Sequence, residues 1–182
     1  MRMVMLVGAL LVSSCSVDKL YLSKQQRKSS GFEQVGFDDL ARLYVDKQTV
    51  DEIEGIYSVS GLIIKKSKAL FSGEEKEKII EQRDNYSKVA IFRDHQKSDR
   101  EYFEVSLDKE GLPSYSIRGE FNKVTEGNIL VYKHFEPRKK VLNYTFTYDA
   151  EKNMLEGIRT ETNGNTVITF KLTYLKLFPK KN

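Results

Sequence analysis

From Tyr86 onward, short runs of β-branched and aromatic residues alternate with turn residues so regularly that the chain is confined to an antiparallel sheet. Runs readable as strands cover 86–92, 101–107, 114–123, 129–135, 141–148, 154–162 and 166–177. The gaps carry turn chemistry at 108–111, 126–128, Glu136-Pro137, 149–153 and Asn163-Gly164. Asn163-Gly164 is the best hairpin signal, because both residues tolerate the positive φ of a type I′ turn. An earlier strand opens at Gly55 and runs to about 64, with Gly61 inside it. The expectation is therefore about eight strands, seven of them joined by short connections, and short connections make neighbours antiparallel in a meander.

Long antiparallel strands must hide an apolar face and protect two edges, and closing the sheet into a barrel does both. An open sandwich is the alternative, since periodicity does not report closure. Alternation assigns an inner face to Phe103, Val105 and Leu107, and to Tyr115, Ile117 and Phe121. It does the same for Leu142, Tyr144, Phe146 and Tyr148, and for Ile168, Phe170, Leu172 and Tyr174. Gly61, Gly119 and Gly157 fall inside strands, where glycine marks bends of a closing sheet. One or two short helices accompany the strands. Leu40, Leu43 and Tyr44 behind Asp38 predict one at 37–45, and Ser72 with Glu75 caps a helix-forming stretch at 74–82 around Ile79 and Ile80. Thr49 and Glu52 form another candidate capping box.

The N-terminus is of a different kind. Arg2 precedes an apolar run at 3–12 that ends in small residues, the layout of a secretory signal peptide. At about ten residues it is shorter than the roughly 20 that a membrane-spanning helix needs. The next stretch, to about residue 31, is polar and basic with little apolar periodicity, so it reads as a tether that buries too little surface to order itself. Its lysines could favour anionic headgroups, or it could be a plain spacer. Residues 32–182 then form a single β domain.

Val12-Ser13-Ser14-Cys15 resembles the lipobox of bacterial lipoproteins, in which an aliphatic residue and two small residues precede a cysteine. The resemblance implies that Val12, Ser13 and Ser14 are recognised by the signal peptidase. It also implies that 1–14 is removed and that Cys15 becomes a lipidated first residue carrying a diacylglycerol and an acyl chain. The n-region is thin, with a single basic residue. Without the resemblance, Cys15 is a lone thiol after an ordinary signal peptide. Two or three acyl chains hold a protein firmly to a membrane without spanning it. The implied location is the cell envelope. That means the outer membrane in a Gram-negative cell, given Ser16 after the cysteine, and otherwise the outer face of the cytoplasmic membrane.

A second resemblance begins at the first strand. Asp51, Ile53, Gly55, Tyr57 and Val59 resemble the lipocalin lead-in, where Gly-x-Trp opens the first barrel strand after a helical turn; Tyr57 stands in the tryptophan position. The later lipocalin motifs are not recognisable. Fatty-acid-binding proteins, in the same calycin group, place helices between the first two strands, as 74–82 would here. The resemblance implies a calycin-like barrel and the capacity to bind a small apolar molecule. Candidate lining residues are Tyr57, Phe103, Tyr115, Ile117, Phe121, Tyr144, Phe146, Tyr148, Phe170 and Tyr174. Either these orient a ligand by their hydroxyls in a cavity, or they fill the core.

Other chemistry is sparse. Without Arg2 the formal charge is +3, too mild and too mixed to argue for nucleic acid. A lipidated Cys15 leaves no thiol for a disulfide, a metal or a nucleophile. His95 and His134 are far apart, no spacing demands a metal, and no hydrolase, phosphate-loop or dinucleotide motif occurs. The expectation is a non-enzymatic envelope lipoprotein, without cofactor, that binds a small apolar or amphipathic ligand. A filled barrel that contacts another envelope protein is the alternative; an envelope hydrolase would require convergent acid and base groups.

Overall fold

The computed structural model describes residues 33–36, 51–68, 75–95, 98–108, 114–124 and 127–179. Nine strands are present: β1 Gln34–Gly36, β2 Gly55–Lys68, β3 Glu75–Arg93, β4 Tyr102–Ser106, β5 Ser114–Lys123, β6 Ile129–Glu136, β7 Lys140–Asp149, β8 Met154–Asn163 and β9 Thr166–Phe178. From β2 to β9 each strand pairs antiparallel with the next, and β9 returns to β2 from Ile56↔Phe178 to Ser67↔Thr166. The meander is thus a closed eight-stranded barrel. The expected signal peptide, tether and 37–45 helix lie outside the described residues.

β1 is an addition that the sequence pattern does not announce. It pairs with β5 at Gln34↔Ser116 to Gly36↔Ser114, on the edge that β6 leaves when its own pairing ends at Gly119↔His134.

The helix expected at 74–82 is corrected. Residues from Glu75 onward belong to β3, whose first half continues the ladder with β2 through Lys66↔Glu77 and Ile64↔Ile79. Glu and Lys favour helix locally, but a partner strand that extends to Lys68 supplies hydrogen bonds and cross-strand pairs, including Lys66 Nζ to Glu77 Oε2 at 3.0 Å. The β8–β9 hairpin is also displaced by one residue. Asn163 closes the ladder opposite Thr166, and Gly164 takes the positive φ of 55°.

The barrel interior is one of two cores. Tyr57, Tyr102, Phe121, Tyr132, Phe146 and Leu155 are buried inside it, with Phe121 stacked on Tyr132 at 4.2 Å and Phe146 edge-on to Tyr174 at 5.2 Å. Two glycines make this crowding feasible: a Cβ on Gly119 would lie 2.2 Å from the Tyr132 ring, and one on Gly157 would lie 2.3 Å from Phe146. Their role is to let a ring lie against the neighbouring strand.

The second core lies on the outer face of β3, β4 and β5 against β1, and contains Val35, Phe92, Phe103, Val105, Tyr115 and Ile117. The inward placement expected for Phe103, Val105, Tyr115 and Ile117 is therefore corrected, as is that for Leu107, which packs against the same cluster. A bulge is the cause on β5. Glu104 pairs with Gly119 but Val105 pairs with Ile117, so Arg118 is an extra residue that reverses the alternation along the strand. On β4 both faces are buried, so Phe103 and Val105 face out while Tyr102 and Glu104 face in.

One end of the barrel is closed by 51–54. Ile53 N–H donates to Asp51 Oδ1 at 3.0 Å, and Asp51 N–H donates to Glu54 Oε2 at 3.2 Å, a reciprocal turn; Thr49 of the expected Thr49–Glu52 pair lies outside the described residues. Tyr57 donates its hydroxyl to the Ile53 carbonyl at 2.5 Å and Tyr102 to Asp51 Oδ1 at 3.0 Å. Lys176 reaches the Glu52 carbonyl from below, lying over the rings of Tyr57 and Tyr148.

Candidate ligand cavity

The other half of the barrel is hollow. A cavity of about 500 Å³ lies between the aromatic layer and the far end, within the range of roughly 300–1,000 Å³ typical of small-molecule sites. One wall is apolar, formed by Val59, Leu62 and Ile63 of β2, Leu142 of β7, and Phe170 and Leu172 of β9. Arg159 of β8 braces this side, its guanidinium 4.0 Å from the centre of the Phe170 ring and 5.3 Å from that of Tyr144.

The opposite wall is polar because two irregularities redirect side chains. The bulge on β5 brings Arg118 to the cavity lining next to Glu104 and Ser106 of β4. On β3, residues Asp84, Asn85 and Tyr86 all stand opposite Ser60. Asn85 accommodates the excursion with a φ of 48°, accepting a hydrogen bond from Ser58 Oγ at 2.8 Å and donating its N–H to Ser60 Oγ at 2.9 Å. Tyr86 then lines the cavity, and Gly61 leaves the space its ring occupies, since a Cβ there would sit 3.2 Å from Tyr86 Cε1.

Glu104 is the buried polar centre. The residue is 2 % exposed, and Tyr174 donates to its Oε2 at 2.9 Å. Tyr132 is a second hydroxyl partner, and a 2.9 Å hydrogen bond joins the Tyr132 hydroxyl to His134 Nδ1. Burial pushes the Glu104 carboxyl up to about 7; the two hydroxyls and the charge of Arg118 oppose the shift. Burial, followed by the charge of Glu104, holds the Tyr132 and Tyr174 hydroxyls well above their ordinary range. Burial likewise lowers His134, against the pull of Glu136, so that its ring is neutral at physiological pH. At the mouth, Arg83 is paired with Glu81, and Glu136 with Lys140 at 3.1 Å.

Of the residues expected to line a ligand site, Tyr144, Phe170 and Tyr174 border the cavity. Tyr57, Phe121, Phe146 and Tyr148 are inside the barrel but fill its closed half. Phe103, Tyr115 and Ile117 belong to the outer core. Cys15, Val12, Ser13 and Ser14 are outside the described residues. Glu104, Arg118, Tyr86 and Tyr132 were not anticipated. The available signal for Glu104 was a single acidic residue within the otherwise apolar run Tyr102-Phe103-Glu104-Val105. His134 faces the cavity, whereas His95 is an exposed residue beyond β3. Among the described residues no group of three or more His, Cys, Asp or Glu is arranged to hold a metal ion, and no helix is long and apolar enough to cross a membrane.

The arrangement is a half-filled barrel that offers hydrocarbon contact on one wall and a buried carboxyl with hydroxyl partners on the other. No protein-family model, curated protein or solved structure matches this chain.

Proposed function

We propose that this protein is a lipid-anchored lipoprotein of a bacterial envelope whose barrel carries a small apolar or amphipathic molecule. One observation carries the binding half of this reading: the barrel interior holds an open volume of about 500 Å³ with one apolar wall facing a polar one. A barrel of this strand number is just large enough either to be packed solid or to hold one small ligand. Here the aromatic layer divides the interior between both outcomes. The anchoring half rests on Val12-Ser13-Ser14-Cys15.

Binding is tested with diphenylhexatriene, a neutral apolar fluorophore whose emission rises on leaving water. Saturable binding at one site per chain is expected. Leu172→Trp or Leu142→Trp, each filling the apolar wall, should weaken it by about tenfold or more. No saturable binding, or binding that neither substitution affects, would refute the cavity as a ligand site and shift attention to the outer surface.

A further inference from the structure

We infer that the cavity selects an apolar molecule that bears a protonated amine, with its ammonium seated on Glu104. The inference rests on the ligand-binding reading above and assigns the ligand's chemical class. Glu104 is buried, and among the described residues its hydrogen-bond partners are the hydroxyls of Tyr174 and Tyr132. Hydroxyls solvate a carboxylate but carry no opposing charge, so an ammonium arriving with the ligand would form a charge-assisted hydrogen bond with a buried acceptor.

The other charges around the cavity are of both signs. Glu81 is paired with Arg83 and Glu136 with Lys140, and Asp108 and Lys171 are further lining charges. Arg118 acts on Glu104 through space and shares its field with Asp108. A ligand carboxylate would therefore meet Glu104 as a second negative charge in a confined space. The rings of Tyr86 and Tyr144 line the same volume, and Leu142, Phe170 and Leu172 accept hydrocarbon.

The test is competition against diphenylhexatriene on the purified full chain, with dodecylamine, dodecanol and dodecanoate, which share a chain and differ in charge. At about pH 8, where Glu104 is ionised and the amine protonated, dodecylamine should bind about tenfold or more tightly than either of the others. Glu104→Gln should abolish that preference, bringing dodecylamine and dodecanol within about twofold of each other. Tightest binding of dodecanoate would overturn the inference and give the selecting role to Arg118. Equal binding of all three would overturn it while leaving the ligand-binding reading in place. If neither the probe nor any competitor binds, both fail. The ranking on the native chain decides the matter even if the substituted protein does not fold.

Discussion

Tyr174 donates its hydroxyl to Glu104 Oε2 across 2.9 Å, joining β9 to β4 through the middle of the barrel between residues 70 positions apart. The bond lies at the boundary between the packed and hollow halves, because Tyr174 also packs edge-on to Phe146 of the aromatic layer at 5.2 Å. One side chain therefore contributes to the core with its ring and to the cavity with its hydroxyl.

The buried carboxyl has a pH signature. Burial raises Glu104 from 4.5 to about 7, so the folded chain holds this proton more tightly than the unfolded chain does. Below about pH 4.5 both states are protonated and the group costs nothing; as pH rises to about 7 only the unfolded state ionises, and stability falls by about 3 kcal/mol. Glu104→Gln keeps the shape without the charge. It should match the parent chain near about pH 3.5 and exceed it by about 3 kcal/mol near pH 8, as read by urea unfolding. Parallel pH profiles for the two proteins would contradict the burial of this charge.

The aromatic layer depends on two glycines. Gly119→Ala would place a methyl group 2.2 Å from the Tyr132 ring, and Gly157→Ala would place one 2.3 Å from Phe146; neither ring has room to retreat in a filled core. Each substitution should destabilise the fold by about 1–3 kcal/mol. Gly127→Ala, whose Cβ would meet nothing within 4 Å, separates crowding from backbone effects, since Gly127 sits at a φ of 96° and any loss there is conformational. Denaturant midpoints of the three variants check the assignment.

The barrel was legible because its signal is local. Period-two alternation and turn residues located all eight of its strands, and only the first half of β3 was misread, where Glu and Lys on an exposed sheet edge have helix propensity and no core beneath them. Which residues face inward was less legible. A bulge at Arg118 reverses parity without altering composition, and where both faces of a strand are buried, as at Phe103 and Glu104, apolar alternation has no unique answer. Glu104 was hidden for the same reason, since a lone charge in a strand is ordinarily assigned to the solvent side. The cavity itself is a difference between enclosed and occupied volume, and no spacing along the chain encodes that.

Arg100 fastens β1 to the barrel. Its guanidinium contacts Asp94 at 2.7 Å, Glu33 at 3.1 Å and Glu120 at 3.4 Å, with the Arg100 and Asp94 side chains only 7 % and 3 % exposed. Arg100→Ala should cost about 3 kcal/mol or more, because the buried Asp94 carboxylate loses this cation. Arg100→Lys keeps the charge but not the fork that reaches three carboxylates, so it should preserve most of the global stability while loosening β1. Hydrogen exchange at the Ile117 amide, which donates to the Glu33 carbonyl at 2.7 Å, reads that loosening directly.

Location and binding should separate cleanly. If Cys15 carries the anchor, Cys15→Ala removes the acceptor of the diacylglycerol, and the chain should either remain uncut or leave the membrane fraction while its barrel still binds diphenylhexatriene. Leu172→Trp should do the reverse, staying in the membrane fraction and incorporating a fatty-acid analogue while losing the fluorophore. The two effects are independent because the segment at 12–15 precedes the first barrel strand, at Gly55, by about 40 residues and contributes nothing to the described cavity wall. Normal anchoring of the Cys15→Ala chain, together with no fatty-acid label on the native protein, would remove the anchor from the proposal and leave the cavity to stand alone.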